Sequence, residues 1–361
     1  MGPAAGEVSL DERIRAAVGG KVPGVALVVV GAEGVRARSA VGLADLVAQA
    51  PMRTDLAIPW FSMTKIATAT AAMRLVERGL LELDAPVRPL VPAMSALHPA
   101  AWAQHITARH LLQHGAGLAN PIPVRWIHPA ETPGPDPDQL LTRLLSKHAK
   151  LRFPPGSRSS YSNLGTLTLG AAIARVTGAR LEAVLRDAVL EPVGMAATGF
   201  AYAAGAPAAT GYHPRRSPMR LLLPRWVNGQ ASGRWLGFRR FLLDGAAYGG
   251  LVGTAEDAAR FLRMHLREGE LDGTRVLSAE AAAAMRRIDL QGRRFDLGLG
   301  WFMPAAQRDA DPPFVEHLGG GAGFFNVLRL YPSLGLGAVV MGNATSYDVD
   351  AVARLALAFR L

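Results

Sequence analysis

The chain has no cysteine, and of its 39 basic residues only four are lysine: Lys21, Lys65, Lys147 and Lys150. Lack of cysteine excludes a disulfide framework, thiol catalysis and cysteine-held zinc or iron–sulfur centres. No apolar run approaches the roughly 18–20 residues that a bilayer-spanning helix needs, and the longest candidate, 25–30, has the length of a strand. Charge is also sparse, 19% of residues against 50% apolar, which excludes a self-solvating disordered basic protein. The first residues carry Glu7, Asp11 and Glu12 with no basic region followed by an apolar one. A secretory signal is therefore not expected, and a cytoplasmic location is.

What is present begins with a formal charge of +10 over 361 residues. Such a charge first raises nucleic-acid binding. Arginine-rich, lysine-poor usage with abundant alanine and glycine is, however, also what a GC-rich genome writes. The charge is concentrated: residues 212–248 hold seven arginines (215, 216, 220, 225, 234, 239, 240) against the single acid Asp244, interleaved with Trp226, Trp235, Phe238 and Phe241. Alternating arginine and aromatic residues could stack on bases or lie on a membrane surface. The reading preferred is a lid or wall over an active site, with Trp226, Trp235 and Phe238 as lid residues, and no nucleic-acid partner is expected.

Apolar spacing predicts helices over 10–18 and 64–78 and strands over 22–30 and 34–42. Residues 80–245 read as helical patches between proline-rich loops such as 121–137. Strands follow over 324–330 and 335–341, then a helix over 348–359. Strands at both ends around a helical middle imply an α+β fold: one sheet closed by both termini, with a mainly helical lobe inserted. The expected division is a single unit with an α/β lobe of 1–61 and 249–361 and a helical lobe of 62–248.

Three short segments can carry chemistry. In Ser62-Met63-Thr64-Lys65 the spacing of three puts hydroxyl and ammonium on one helix face, about 5–6 Å apart at Cβ. The helix N-terminus would favour a developing oxyanion. Tyr161-Ser162-Asn163, preceded by Phe153-Pro154-Pro155-Gly156, places a phenol and an amide two apart on a turn before an apolar helix. His317-Leu318-Gly319 runs into Gly320-Gly321-Ala322-Gly323 and then a strand. Small residues there let a substrate reach backbone N–H groups, and dinucleotide binding is disfavoured because no helix follows. His110 and His114 stand four apart but have no third ligand near in sequence, so no metal and no cofactor are expected.

The order Ser-x-x-Lys, Tyr-x-Asn, His-x-Gly resembles the serine β-lactamase-like superfamily, in its class C β-lactamase, esterase and D-alanyl peptidase branch. The resemblance covers nearly the whole chain: Leu111-Leu112-Gln113-His114-Gly115-Ala116-Gly117-Leu118, the stretch 249–257 (Gly-Gly-Leu-Val-Gly-Thr-Ala-Glu-Asp) and Leu297-Gly298-Leu299-Gly300-Trp301 all look like segments of that branch. It implies a β-lactamase/transpeptidase-like fold and an acyl-enzyme on Ser62. It further implies Lys65 and Tyr161 acting jointly as base, backbone N–H groups of Ser62 and Gly320 as the oxyanion hole, and Asn163, His317 and Gly319 binding substrate. Reference values of about 10.4 and 10 make neither Lys65 nor Tyr161 a good base alone, but the lysine charge favours a phenolate and burial a neutral lysine. β-Lactamases of the branch carry Lys-Thr-Gly where His317-Leu318-Gly319 stand, which counts against efficient β-lactam hydrolysis. The expectation is a serine hydrolase, most simply an esterase acting on a small-molecule ester. The alternatives are a D-amino-acid peptidase or amidase, a weak β-lactamase, an acyltransferase, or an inactive binding protein on the same fold.

Overall fold

The structure is a computed structural model that describes residues 8–217 and 222–360; Glu7 and Arg220, both used in the charge reading above, lie outside the described residues. Its centre is an antiparallel sheet of eight strands in the spatial order Phe295–Leu297, Phe302–Pro304, Val315–Gly321, Phe324–Tyr331, Leu336–Gly342, Gly24–Gly31, Val35–Asp45 and Ala50–Pro51. The two chain ends meet in its middle, where Val28 faces Val339 across Gly24–Gly31 and Leu336–Gly342.

Gly24–Gly31 is buried along its whole length, as a continuous apolar run must be when both faces of a sheet are covered. The period of two sorts its side chains. Ala26, Val28 and Val30 join the large core that contains Trp60 and Phe261. Val25, Leu27 and Val29 join a second core with Ile14 of the helix Leu10–Val18 and Val352 of the helix Val349–Arg354. The first helix starts at a capping box between Ser9 and Glu12 and stops at Gly19 in the left-handed conformation. On the other face lies the helix Ala255–Leu266.

His317 to Gly321 is most of the strand Val315–Gly321; the hairpin Phe295–Leu297/Phe302–Pro304 extends the sheet but pairs with this strand only at Glu316, so among the described residues no strand pairs with the glycines on that side. Consecutive glycines have poor strand propensity, and tertiary approach overrides it: a Cβ on Gly319 would lie 2.2 Å from the Trp60 carbonyl oxygen, and one on Gly321 2.0 Å from the Phe61 ring. Residues 212–248, read as a lid or wall, contain a three-stranded sheet ordered Tyr212–Pro214, Trp235–Phe238, Asn228–Ser232. A further strand, Phe241–Leu243, pairs with Ile127–Pro129. Among the described residues no helix is long and apolar enough to cross a membrane.

Candidate active site

Ser62 sits in the single 3-10 turn Phe61–Met63 that runs into the helix Thr64–Glu77. The turn is held from both sides. Trp60 N–H donates to the Leu251 carbonyl at 2.8 Å, and Gly319 and Gly321 let the strand Val315–Gly321 lie flat against it. Phe61 has φ +49, left-handed backbone that a bulky residue adopts only under tertiary constraint. One turn on, Lys65 is 3% exposed. Its Nζ lies 3.0 Å from Ser62 Oγ, 2.8 Å from Asn163 Oδ1 and 2.7 Å from the Tyr248 carbonyl. No carboxylate pairs with it among the described residues, and burial pushes its pKa well below the usual lysine range.

Asn163 is delivered by the helix Asn163–Thr177, whose cap Ser162 accepts from Gly165 N–H at 3.0 Å. Tyr161 precedes the cap, and its hydroxyl bonds to the Ser62 side chain while burial pushes the phenol pKa up. Lys65 Nζ lies 4.9 Å from the Tyr161 ring centroid. Burial therefore works against a phenolate, and the Ser62 hydrogen bond offsets it only in part. The Tyr161 ring packs on His114 at 4.4 Å and on His317 at 6.1 Å. Burial and the Lys65 charge lower both histidines, His114 to about 3. His317 Nδ1 lies 2.8 Å from the Leu318 carbonyl, so Nδ1–H donates there and Nε2 is left as an acceptor. His110 and His114 serve the fold: His110 Nδ1 completes the cap of Thr107, and His114 Nδ1 accepts from Ser162 N–H at 3.3 Å.

Two cavities meet at Ser62 and Gly320. One, about 490 Å³, is lined by Tyr161, His317 and Asn120, with Arg152, Arg293 and Arg294 at its rim. The other, about 320 Å³, is walled by Phe61, Ile127, Phe241, Leu243, Tyr248 and Phe325, with Asn163 at its floor. The structure thus brings Ser62, Lys65, Tyr161, Asn163, His317 and Gly320 together. Gly319 lines neither cavity, because it packs against Trp60.

The three residues expected to form a lid also lie elsewhere. Trp226 packs on the core from the turn Arg225–Val227, Phe238 stacks on His213 at 6.2 Å, and Trp235 lines a separate basic cleft. The segment does wall the apolar cavity, but through Leu223, Phe241, Leu243 and Tyr248. Sequence reasoning missed Tyr248 and Asn120. Tyr248 directly precedes the Gly249-Gly250 stretch, which was the available signal; Asn120 Oδ1, which accepts from Asn163 N–H at 3.0 Å, carried none.

The family model described as Beta-lactamase matches residues 10–360. The chain is 34% identical to Esterase EstB of Burkholderia gladioli over 340 residues, covering 86% of this chain and 83% of that one. It is 31% identical to Penicillin-binding protein 4 of Amycolatopsis lactamdurans over 347 residues, 91% of this chain and 84% of the other. Among solved structures, the D-amino acid amidase of Ochrobactrum anthropi superposes with a TM-score of 0.77 at 22% identity, over 97% of this chain and 96% of that one.

Proposed function

Since the chain belongs to the β-lactamase family of serine hydrolases, we propose that it is a carboxylic ester hydrolase that forms an acyl-enzyme on Ser62. The observation that carries this reading is the atom count around Lys65. A neutral amine has two N–H bonds and one lone pair. The two N–H bonds go to Asn163 Oδ1 and the Tyr248 carbonyl, and the lone pair then faces the Ser62 hydroxyl at 3.0 Å. With its pKa lowered by burial, Lys65 takes the Ser62 proton as Oγ attacks the ester carbonyl.

The backbone N–H groups of Ser62 and Gly320 hold the oxyanion. Tyr161, kept as a neutral phenol, gives its proton to the departing alkoxide, and the proton that Lys65 took from Ser62 restores the phenol. Water then enters by the same route in reverse and releases the acid. The ester preference rests on the apolar cavity beside Ser62 and on the absence of a lysine–threonine pair at 317–318. The similarity to an esterase over most of both chains supports it.

A fluorophosphonate probe is expected to label Ser62, and a panel of p-nitrophenyl esters, nitrocefin and D-alanyl amides is expected to show the esters turned over fastest. An unlabelled Ser62 would remove the nucleophile; faster amide or nitrocefin hydrolysis would replace the ester reading with a peptidase or β-lactamase one.

A further inference from the structure

The basic insertion has a location the site does not use. Lys21, Arg215, Arg216 and Arg234 converge on a cleft of about 980 Å³, with Trp235 as a flat wall. No aspartate or glutamate lines it, and none of the four cations has an ion-pair partner among the described residues. Elsewhere this chain pairs its arginines readily, as Arg109 does with Asp84 at 2.6 Å and Arg38 with Glu256 at 2.8 Å. Backbone contacts hold Arg234 and tie its main chain to that of Arg215. Arg215 N–H donates to the Arg234 carbonyl at 2.8 Å, the Arg234 guanidinium bonds to the Gly20 carbonyl, and the same guanidinium lies 5.0 Å over the Trp235 ring.

The cleft is not isolated from the nucleophile. His213 and Thr345 line both it and the apolar cavity that contains Ser62. These two residues form one partition: His213 Nδ1 lies 2.9 Å from Thr345 Oγ1, which accepts from Gly323 N–H at 3.0 Å. The apolar cavity therefore has the reacting serine and the His213–Thr345 partition on its lining, and the partition is shared with a cleft of unneutralised positive charge. The four cations are exposed, so their field reaches the partition chiefly at low salt.

Resting on the ester reading above, we infer that the preferred acyl group is an apolar chain whose far end carries an anion, held at the His213–Thr345 partition by the field of Lys21, Arg215, Arg216 and Arg234. The reaction stays an ester hydrolysis: water adds across the acyl–oxygen bond, and the products are a dicarboxylate-type acid and the alcohol.

The test compares p-nitrophenyl half-esters of dicarboxylic acids of six to twelve carbons with p-nitrophenyl esters of monocarboxylic acids of the same lengths. At low salt the half-ester is expected to have the higher kcat/KM, by about tenfold at the best length, falling toward parity at about 0.5 M salt as the charges are screened. The double variant Lys21→Gln/Arg216→Gln is expected to bring the ratio of the two esters close to one. Because the ratio is taken within one protein, loss of folded enzyme does not mimic this result. A ratio at or below one at every length in the native enzyme, or one the double variant leaves unchanged, overturns the inference. Binding of decanedioic against decanoic acid to the Ser62→Ala protein reads the cleft without turnover. Selective binding with no ester hydrolysis leaves the anion site standing and removes the ester reading; ester hydrolysis with no selectivity does the opposite.

Discussion

Among the described residues one lysine and one arginine are buried, and they are treated in opposite ways. Arg329 is 2% exposed and Lys65 3%. Arg329 donates to Glu316 at 2.6 and 2.9 Å and to Asp350 at 2.7 Å, and its guanidinium lies 4.1 Å over the Phe314 ring. Burial is the largest single influence and works against its charge, but Glu316, Tyr331 and Asp350 together outweigh it and hold the pKa above the usual arginine range. Lys65 has a hydroxyl, an amide oxygen and a carbonyl as its hydrogen-bond partners and two tyrosine rings beside it, with no carboxylate among the described residues. Neutral acceptors orient an amine without paying for its charge, so burial wins and the proton becomes transferable. The two sites are neighbours in the fold: Glu316 faces Arg329 across the strand pair, one residue before His317. The ion pair pins the register of the strand that carries Gly320, while the lysine acts at that strand's edge.

The largest effect should come from making Lys65 resemble Arg329. Lys65→Arg puts a permanent cation where the mechanism needs a neutral amine, because a guanidinium does not release its proton. It is expected to lower kcat on a p-nitrophenyl ester by at least about 10³-fold, with circular dichroism unchanged. Retained turnover would take the proton from Lys65 and give it to Tyr161. The converse change, Glu316→Gln, leaves Arg329 with its charge and without its nearest carboxylate. Breaking one side of a buried pair costs about 3–5 kcal/mol, so denaturant unfolding should move to clearly lower midpoints. Esterase activity of the folded fraction should persist; if stability is unchanged, Asp350 alone neutralises the arginine.

A third change makes the lysine site more like the arginine one by a single atom. Asn163→Asp puts a carboxylate 2.8 Å from Nζ, where the amide oxygen now stands. An opposite charge favours the charged amine, so the Lys65 pKa should rise by about 1–3 units. The base is active when deprotonated, so the rising limb of kcat/KM against pH should shift to higher pH by the same amount. Rate lost near neutrality should return in alkali. A limb that stays in place would mean that Lys65 is not the group that titrates.

How much of this could be read beforehand follows the same division between local and distant. Ser62, Lys65, Tyr161, Asn163 and His317 stand in short segments whose residue types already imply chemistry, and the structure brings all five together. The central strands and the terminal helices were legible because their apolar periodicity is strong. The cavity walls were not. Ile127, Leu223 and Phe241 are apolar residues of short segments without a pattern, and Ile127 and Phe241 are joined only by pairings such as His128 with Leu242 that cross more than 100 residues. Trp226, Trp235 and Phe238 were chosen as lid residues because aromatics next to arginines stand out in composition, yet Trp226 stands in a turn against the core, Trp235 and Phe238 on a strand, and none of the three lines either cavity at Ser62. Strand alternation decides which side chain faces the cleft, and register is set by partners the local sequence does not name.

The smallest expected effect separates the two things Tyr248 offers the lysine. Its carbonyl accepts from Lys65 at 2.7 Å, and its ring centroid lies 5.3 Å from Nζ, with Trp126 edge-on at 5.8 Å. Its hydroxyl is buried and has no hydrogen-bond partner among the described residues. Tyr248→Phe keeps the carbonyl and the ring and removes only a polar atom whose desolvation goes uncompensated. Stability should therefore change by less than about 1 kcal/mol, in the stabilising direction if at all. The kcat/KM for an apolar ester should stay within about threefold, since under 0.7 kcal/mol of barrier is at stake. Tyr248→Ala, which opens the wall of the apolar cavity, should raise KM for longer acyl chains well beyond that. A large loss in the phenylalanine variant would put the hydroxyl in contact with the reacting groups and make Tyr248, with Tyr161, a second source of the proton that leaves with the alkoxide.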